Sequence, residues 1–132
     1  MLREIDPVQH HAMEQLQEAC HRKYPHTQAI GAIDPILYEG RAIMFNRQTP
    51  KHVDRLDPLR SWAALLVLGA FQGGTMYIER LQLRLRYLPG DMIFIRGAIL
   101  PHEVEAFSGG QRISIAHFTH QSLWKEFNME IP

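Results

Sequence analysis

Apolar residues recur at helical spacing over residues 7–23, where Val8, Ala12, Leu16, Ala19 and Cys20 share one face. Asp6 stands where an N-cap belongs and Pro7 fits the first turn. Pro25 stops the segment. The pattern predicts a helix braced against a sheet. From Ile30 the period shortens. β-rich runs alternate with Gly, Pro, Asp and Asn, giving candidate strands at 30–38, 41–46, 62–68, 75–79, 81–88, 92–95, 102–107 and 111–119. Gly73-Gly74, Pro89-Gly90-Asp91 and Ser108-Gly109-Gly110 mark turns. Leu81, Leu83, Leu85 and Tyr87 alternate with Gln82, Arg84 and Arg86, as in a half-buried strand. Ser122 to Phe127 predicts a short closing helix. Many short strands imply a mainly β fold, an antiparallel sandwich or barrel. No repeat, low-complexity segment or linker interrupts it.

Composition narrows this little. With 132 residues there is room for one domain over 1–132, comprising a helical segment 1–29 and a β core 30–120. Fourteen basic residues balance fourteen acidic ones, so no overall positive field points to nucleic acid, although a local patch can suffice. Cys20 is the only cysteine, which excludes an internal disulfide and a cysteine-rich zinc site. The charged N-terminus has no secretory h-region, and the longest apolar run, Trp62 to Ala70, is too short to span a membrane. An intracellular protein with no membrane partner is the expectation.

Three residues change the picture. His52 and Asp54 lie two apart, so extended backbone points both the same way. His102 opens a late strand and supplies a third ligand once the sheet folds back. Two imidazoles and one carboxylate occupy one face of iron(II) and leave open positions. The same residue types suit a catalytic zinc hydrolase. Taken alone, His-X-Asp reads as an exposed loop pair.

Parity in strand 111–119 adds weight. Arg112, Ser114, Ala116, Phe118 and His120 fall on one face, and Ile113, Ile115, His117 and Thr119 on the other. The second face reads as core packing interrupted by His117. An inward arginine needs an anionic partner. A dicarboxylic acid such as 2-oxoglutarate would fit the guanidinium fork, with Ser114 adding a hydrogen bond. The structural alternative is an Arg112 ion pair to Glu103 or Glu105.

In this order (His-X-Asp, Pro-Gly-Asp before a strand, a distal histidine, then Arg-X-Ser) the residues resemble double-stranded β-helix dioxygenases that use iron(II) and 2-oxoglutarate. Within them the chain is most similar to the ten-eleven-translocation and J-binding-protein (TET/JBP-like) branch, which oxidises methyl groups on DNA bases. The resemblance rests on Asp57 after two intervening positions, Phe118 six beyond Arg112 and His120 eight beyond it. It implies a jelly roll with an N-terminal bracing helix and a short C-terminal helix. It implies His52, Asp54 and His102 as the catalytic Fe(II) ligands, with 2-oxoglutarate and O2 as co-substrates. Arg112, Ser114 and Arg47 would bind the co-substrate.

For substrate the resemblance implies DNA carrying 5-methylcytosine, read by Asp57, Phe118, His120 and Asn46, and hence nuclear residence. A flipped base needs an aromatic platform and polar groups at its edge, so each role is physically sound. Each also has a structural alternative: Phe118 as core, His120 closing a turn, Asp57 fixing one before Pro58, Arg47 as a surface arginine. Only Met1 to Ala29 precedes the first candidate strand, and no Lys/Arg cluster stands in for duplex-holding loops. Oxygenases acting on thymine, N6-methyladenine, a protein or a small molecule therefore stay open, as does a catalytically silent binding module.

Overall fold

The computed structural model describes residues 1–132. Its helices are α1 (Leu2–Ile5), α2 (Pro7–Lys23), α3 (His26–Ile33) and α4 (Gln121–Glu126). Its strands are β1 (Gly40–Phe45), β2 (Ala63–Gly69), β3 (Gln72–Gly73), β4 (Met76–Ile78), β5 (Leu83–Leu85), β6 (Met92–Ile95), β7 (His102–Val104), β8 (Phe107–Ser108) and β9 (Arg112–Phe118). An antiparallel four-stranded sheet has the order β1-β9-β2-β6. A second, three-stranded sheet has the order β5-β4-β7, and β3 pairs with β8. Val67 and Ile95 from the larger sheet pack with Met76, Ile78 and Val104 from the smaller one and with Tyr87. The arrangement is a β-sandwich with few helices.

Helix α2 forms where the sequence places it and buries Leu16 and Cys20 of the expected face, with Ala12 packed against them, but Gln9 and Met13 rather than Val8 complete the stripe. Asp6 accepts a hydrogen bond from Gln9 N at 2.9 Å, and Pro7 occupies the first turn. The buried residues are Gln9, Met13, Leu16 and Cys20, whereas Val8 is 71% exposed. The reason is the Gln9 amide. Its Nε2 donates to Trp62 O at 3.0 Å, and its Oε1 accepts from Trp62 N at 2.7 Å. That amide satisfies the strand approach that leads into β2, so a polar residue is tolerated on the inner face. Below it, Met13, Leu16 and Cys20 join Leu2 and Trp124 in a second core, flanked by Phe94 and Tyr38. Burying the Trp124 ring removes on the order of 200 Å² from water, worth roughly 5 kcal/mol before entropy is charged against it.

Three expected strands differ, and one of them, 102–107, splits into β7 and β8 in separate sheets. Residues 30–38 form no strand. Helix α3 takes 26–33, and Asp34 ends it with its backbone N–H donating to Ile30 O. The apolar run in this segment misled the reading, because short runs do not distinguish strand from helix. The run 81–88 keeps only Leu83–Leu85 as strand, after a 3-10 turn at Glu79–Leu81. Its alternation is only partly buried: Leu81 and Leu83 are exposed and Tyr87 is buried. Of the glycines read as turn markers, Gly73, Gly74, Gly90 and Gly109 are all at positive φ, although Gly73 lies in β3 and pairs with Phe107. No helix is long and apolar enough to cross a membrane.

Candidate metal and co-substrate site

The chain brings His52 to His102 by main-chain hydrogen bonding. His52 N donates to His102 O at 3.1 Å and His102 N to His52 O at 3.0 Å, an isolated antiparallel bridge beside β7. The preceding segment follows the same strand, with Val104 N donating to Thr49 O and the Gln48 amide to Val104 O. This pairing sets the two imidazole centroids 4.4 Å apart. Each Nδ1 lies 2.8 Å from a carbonyl, Pro50 O for His52 and Leu100 O for His102. With Nδ1–H donating there, both Nε2 lone pairs are free, the orientation that metal-binding histidines use.

Asp54 completes the set. Its carboxylate oxygens lie 3.3 Å from His52 Nε2 and 3.7 Å from His102 Nε2. Ligand atoms from all three residues fall within 4.8 Å of one another. Burial works against the Asp54 carboxylate, but the two histidines outweigh it and its pKa is lowered. The Asp54 contact raises the pKa of His52, while burial lowers that of His102. Sequence reading missed the residue that permits this packing. Gly97 O accepts from Asp54 N at 3.0 Å, and a Cβ on Gly97 would collide with Asp54 Oδ2. The available signal was a glycine five residues before a histidine, too common to single out.

The triplet opens into a cavity of about 460 Å³, within the range of small-molecule sites, about 300–1,000 Å³. Arg112, Ser114, Ala116, Phe118 and His120, which share one strand face, all line it, and Ile115 of the other face reaches it too. Arg112 is 1% exposed, yet none of its three guanidinium nitrogens has a hydrogen-bond partner. It forms no ion pair with Glu103 or Glu105; the Glu105 carboxylate pairs with Arg84 instead. Phe71, Tyr87 and Phe107 surround the guanidinium carbon, with ring centroids 5.3–5.5 Å away. Burial lowers the Arg112 pKa. Ser114 Oγ is likewise buried and unpartnered. The sequence marked Tyr87 only as a half-buried strand residue and Phe71 and Phe107 not at all, because the three cage aromatics come from separate segments.

The remaining candidates divide. The Phe118 and His120 rings stack at 4.5 Å and 18°. The Phe118 ring lies directly over Gly40, its partner in β1, where any Cβ would collide with it. His120 also forms the N-cap position of α4 without a side-chain cap bond. Asn46 and Arg47 are exposed and do not line the cavity. Asn46 has φ 51° and its Oδ1 accepts from Arg112 N at 2.8 Å, so it fixes the end of β9. The opposite face is not the core expected of it: Ile113 and Ile115 are only half-buried and join neither core, while the buried His117 accepts from Arg41 Nε at 3.1 Å through Nε2 and has Nδ1 3.3 Å from Ala64 O.

Asp57 is 7% exposed. Burial, then the charge of Asp54, pushes its pKa up to about 7. His120 Nε2 lies 3.7 Å from the Asp57 carboxylate. In the unfolded chain this carboxyl titrates near 4. The folded state holds the proton more tightly, so this stabilising contribution is complete below about pH 4 and is lost as pH rises through about 7. Asp57→Asn in metal-free protein should therefore gain melting temperature over wild type as pH rises, with little difference near pH 4 and the largest above 7. A difference independent of pH in thermal melts would contradict it.

No protein-family model and no curated protein matches the chain. Among solved structures, NgTET1 in complex with 5mC DNA superposes with a TM-score of 0.61 and 26% identity, over 69% of this chain. The matched region spans only 37% of that chain. The fold is thus TET-like, on a sandwich that carries a His-Asp-His group able to hold a metal.

Proposed function

We propose that this chain is an Fe(II)/2-oxoglutarate-dependent dioxygenase, built on a double-stranded β-helix, that oxidises the methyl group of 5-methylcytosine in DNA. The observation that carries the reading is Arg112. A buried guanidinium with three unpartnered nitrogens, next to an unpartnered Ser114 hydroxyl, is costly unless an anion completes it. Both groups line the cavity that holds His52, Asp54 and His102. A five-carbon dicarboxylate satisfies both ends: one carboxylate at the arginine fork, the other end at the metal. The donor set has two nitrogens, one carboxylate and no thiolate, and so fits iron(II). Bound iron and co-substrate supply the oxidising power. The chain's own residues position the co-substrate, exclude water and present the methyl group.

For the base, Phe118 offers a ring face, and Asp57 and His120 offer polar groups at the cavity rim. At 4.5 Å the Phe118–His120 stack leaves no room for a base between the rings, so a base uses a free face or the stack opens. A neutral Asp57 can donate to a ring nitrogen or carbonyl, and an ionised one accepts from the cytosine amino group.

The test is mass spectrometry of methylated oligonucleotides incubated with protein, iron(II), ascorbate and 2-oxoglutarate. Gain of oxygen on 5-methylcytosine is the expected result. Oxygen gained only by thymine or N6-methyladenine would change the substrate, and no gain on any base would sink the DNA reading. Stacking on an aromatic is worth about 1–3 kcal/mol. Phe118→Ala should therefore lower kcat/KM on DNA by roughly 5- to 150-fold, while 2-oxoglutarate decarboxylation without substrate continues. An equal loss in both assays would make Phe118 a packing residue.

A further inference from the structure

The outer face of the larger sheet is apolar and only partly covered. Ala42, Met44 and Ser114 line the cavity, so the residues between them in β1 and β9 belong to the other face. Strand register sorts that face into rows. In one row Arg41, His117, Ala64 and Phe94 lie side by side, and Phe94 packs into the second core with residues of α2. The next two rows have no such cover. Ile43, Ile115, Leu66 and Met92 make the first of them, and Phe45, Ile113 and Leu68 the second. None of these seven residues belongs to either core. Phe45 is 68% exposed, Ile43 51%, Met92 41% and Leu68 40%, and the other three are half-buried.

Single apolar residues on a surface are ordinary. Two adjoining rows of them across four strands are not. At on the order of 200 Å² for each large side chain, the exposed fractions amount to about 400–500 Å². Contiguous patches of this size mark interaction sites.

The chemistry of the patch narrows the occupant. No side chain in the two rows carries a charge or a hydrogen-bond donor. Arg41, on its border, is already paired with Asp34 at 2.6 Å. The patch therefore offers no cation to an anionic lipid surface. An extended peptide would add at a sheet edge through main-chain hydrogen bonds rather than lie across a face. A regular, uncharged strand face fits a second such face, and another copy of this chain supplies one. Fourteen basic and fourteen acidic residues cancel, so no net charge holds two copies apart. Two patches in contact would remove about 800–1,000 Å² of apolar surface from water. With a polar rim, that reaches the lower end of specific interfaces, about 1,000–1,200 Å².

We propose that the outer face of the β1-β9-β2-β6 sheet is a self-association surface, on which two copies pack face to face about a two-fold axis. Such an interface is isologous, so each residue is buried twice in the dimer. The cavity lies on the opposite face of the same sheet, so the inference does not depend on the chemistry there.

Sedimentation velocity over a dilution series tests it. The weight-average mass of wild type should rise with concentration toward twice that of the monomer. Ile43→Glu/Phe45→Glu puts two carboxylates from each copy into the contact and should weaken dimerisation at least about a hundredfold. Met92→Glu enters the same patch from β6 and should weaken it at least about tenfold. Val8→Glu/Leu81→Glu adds the same charge at residues 71% and 56% exposed on α2 and beside β5, and should dimerise like wild type. Circular dichroism melts check that the variants fold, and Met92→Glu carries the test if β1 tolerates no carboxylate. A wild type that stays monomeric throughout the series would overturn the proposal and leave the face to a different molecule. Dimerisation that the patch variants do not weaken would put the contact on another surface, which overturns it equally. Equal weakening in the Val8/Leu81 variant would reduce the effect to net charge and overturn it as well.

Discussion

Alanine in place of His52 or Asp54 is expected to abolish succinate formation from 2-oxoglutarate and leave the fold intact. Even a partner that only orients a metal ligand is worth about 10- to 100-fold in affinity, so losing a ligand should weaken iron binding by well over about a hundredfold. The fold should survive because His52 and Asp54 are only partly buried, and because the contacts that place them, His52 N to His102 O and Asp54 N to Gly97 O, belong to the backbone. His102 is 4% exposed, so His102→Ala tests stability as well and is the weaker probe. Two measurements decide the matter: iron content after gel filtration and succinate by mass spectrometry. Wild-type turnover in both His52→Ala and Asp54→Ala would remove the metal assignment.

The second large effect has opposite signs in two assays. Arg112→Leu should raise the 2-oxoglutarate concentration needed for half-maximal turnover. Removing one partner of a buried, hydrogen-bonded charge pair costs about 2–5 kcal/mol, or roughly 30- to several-thousand-fold. The same substitution should raise the melting temperature of protein without co-substrate, because it removes a buried charge with no hydrogen-bond partner. An arginine that served the fold would behave otherwise: its loss would lower the melting temperature and leave the co-substrate requirement alone. Both numbers come from the same purified variant, so the two roles separate without reference to the substrate base.

Strand parity carried much of the site reading. A period of two put Arg112, Ser114 and Phe118 on one face of β9, and all three line the cavity. The spacing of His52 and Asp54 put both on one side of an extended segment. What the sequence did not show is how long-range pairing uses each residue. Asn46 looked like a ligand-steadying amide, but a positive φ lets its side chain accept from Arg112 N. Gln9, a polar residue off the expected apolar face, satisfies both backbone groups of Trp62, 53 residues away. The aromatic cage around Arg112 joins Phe71, Tyr87 and Phe107, and no local period connects them. Residues 30–38 failed as a strand for a different reason. Ile30 and Ile33 are apolar yet 62% and 88% exposed on α3, so hydrophobicity there does not report burial.

The reciprocal main-chain bridge between His52 and His102 has a practical corollary. Two of the three donors are clamped to each other by the polypeptide, and Gly97 clamps the third, before any cation arrives. Loading is then uncoupled from folding, unlike in small zinc domains whose apo forms are unfolded. Stripping with a chelator should leave the melting transition cooperative. The emptied protein could be refilled at leisure with cobalt(II), whose visible spectrum reports ligand geometry directly. Such an exchange would turn the candidate centre into its own spectroscopic probe, independent of any assay for turnover.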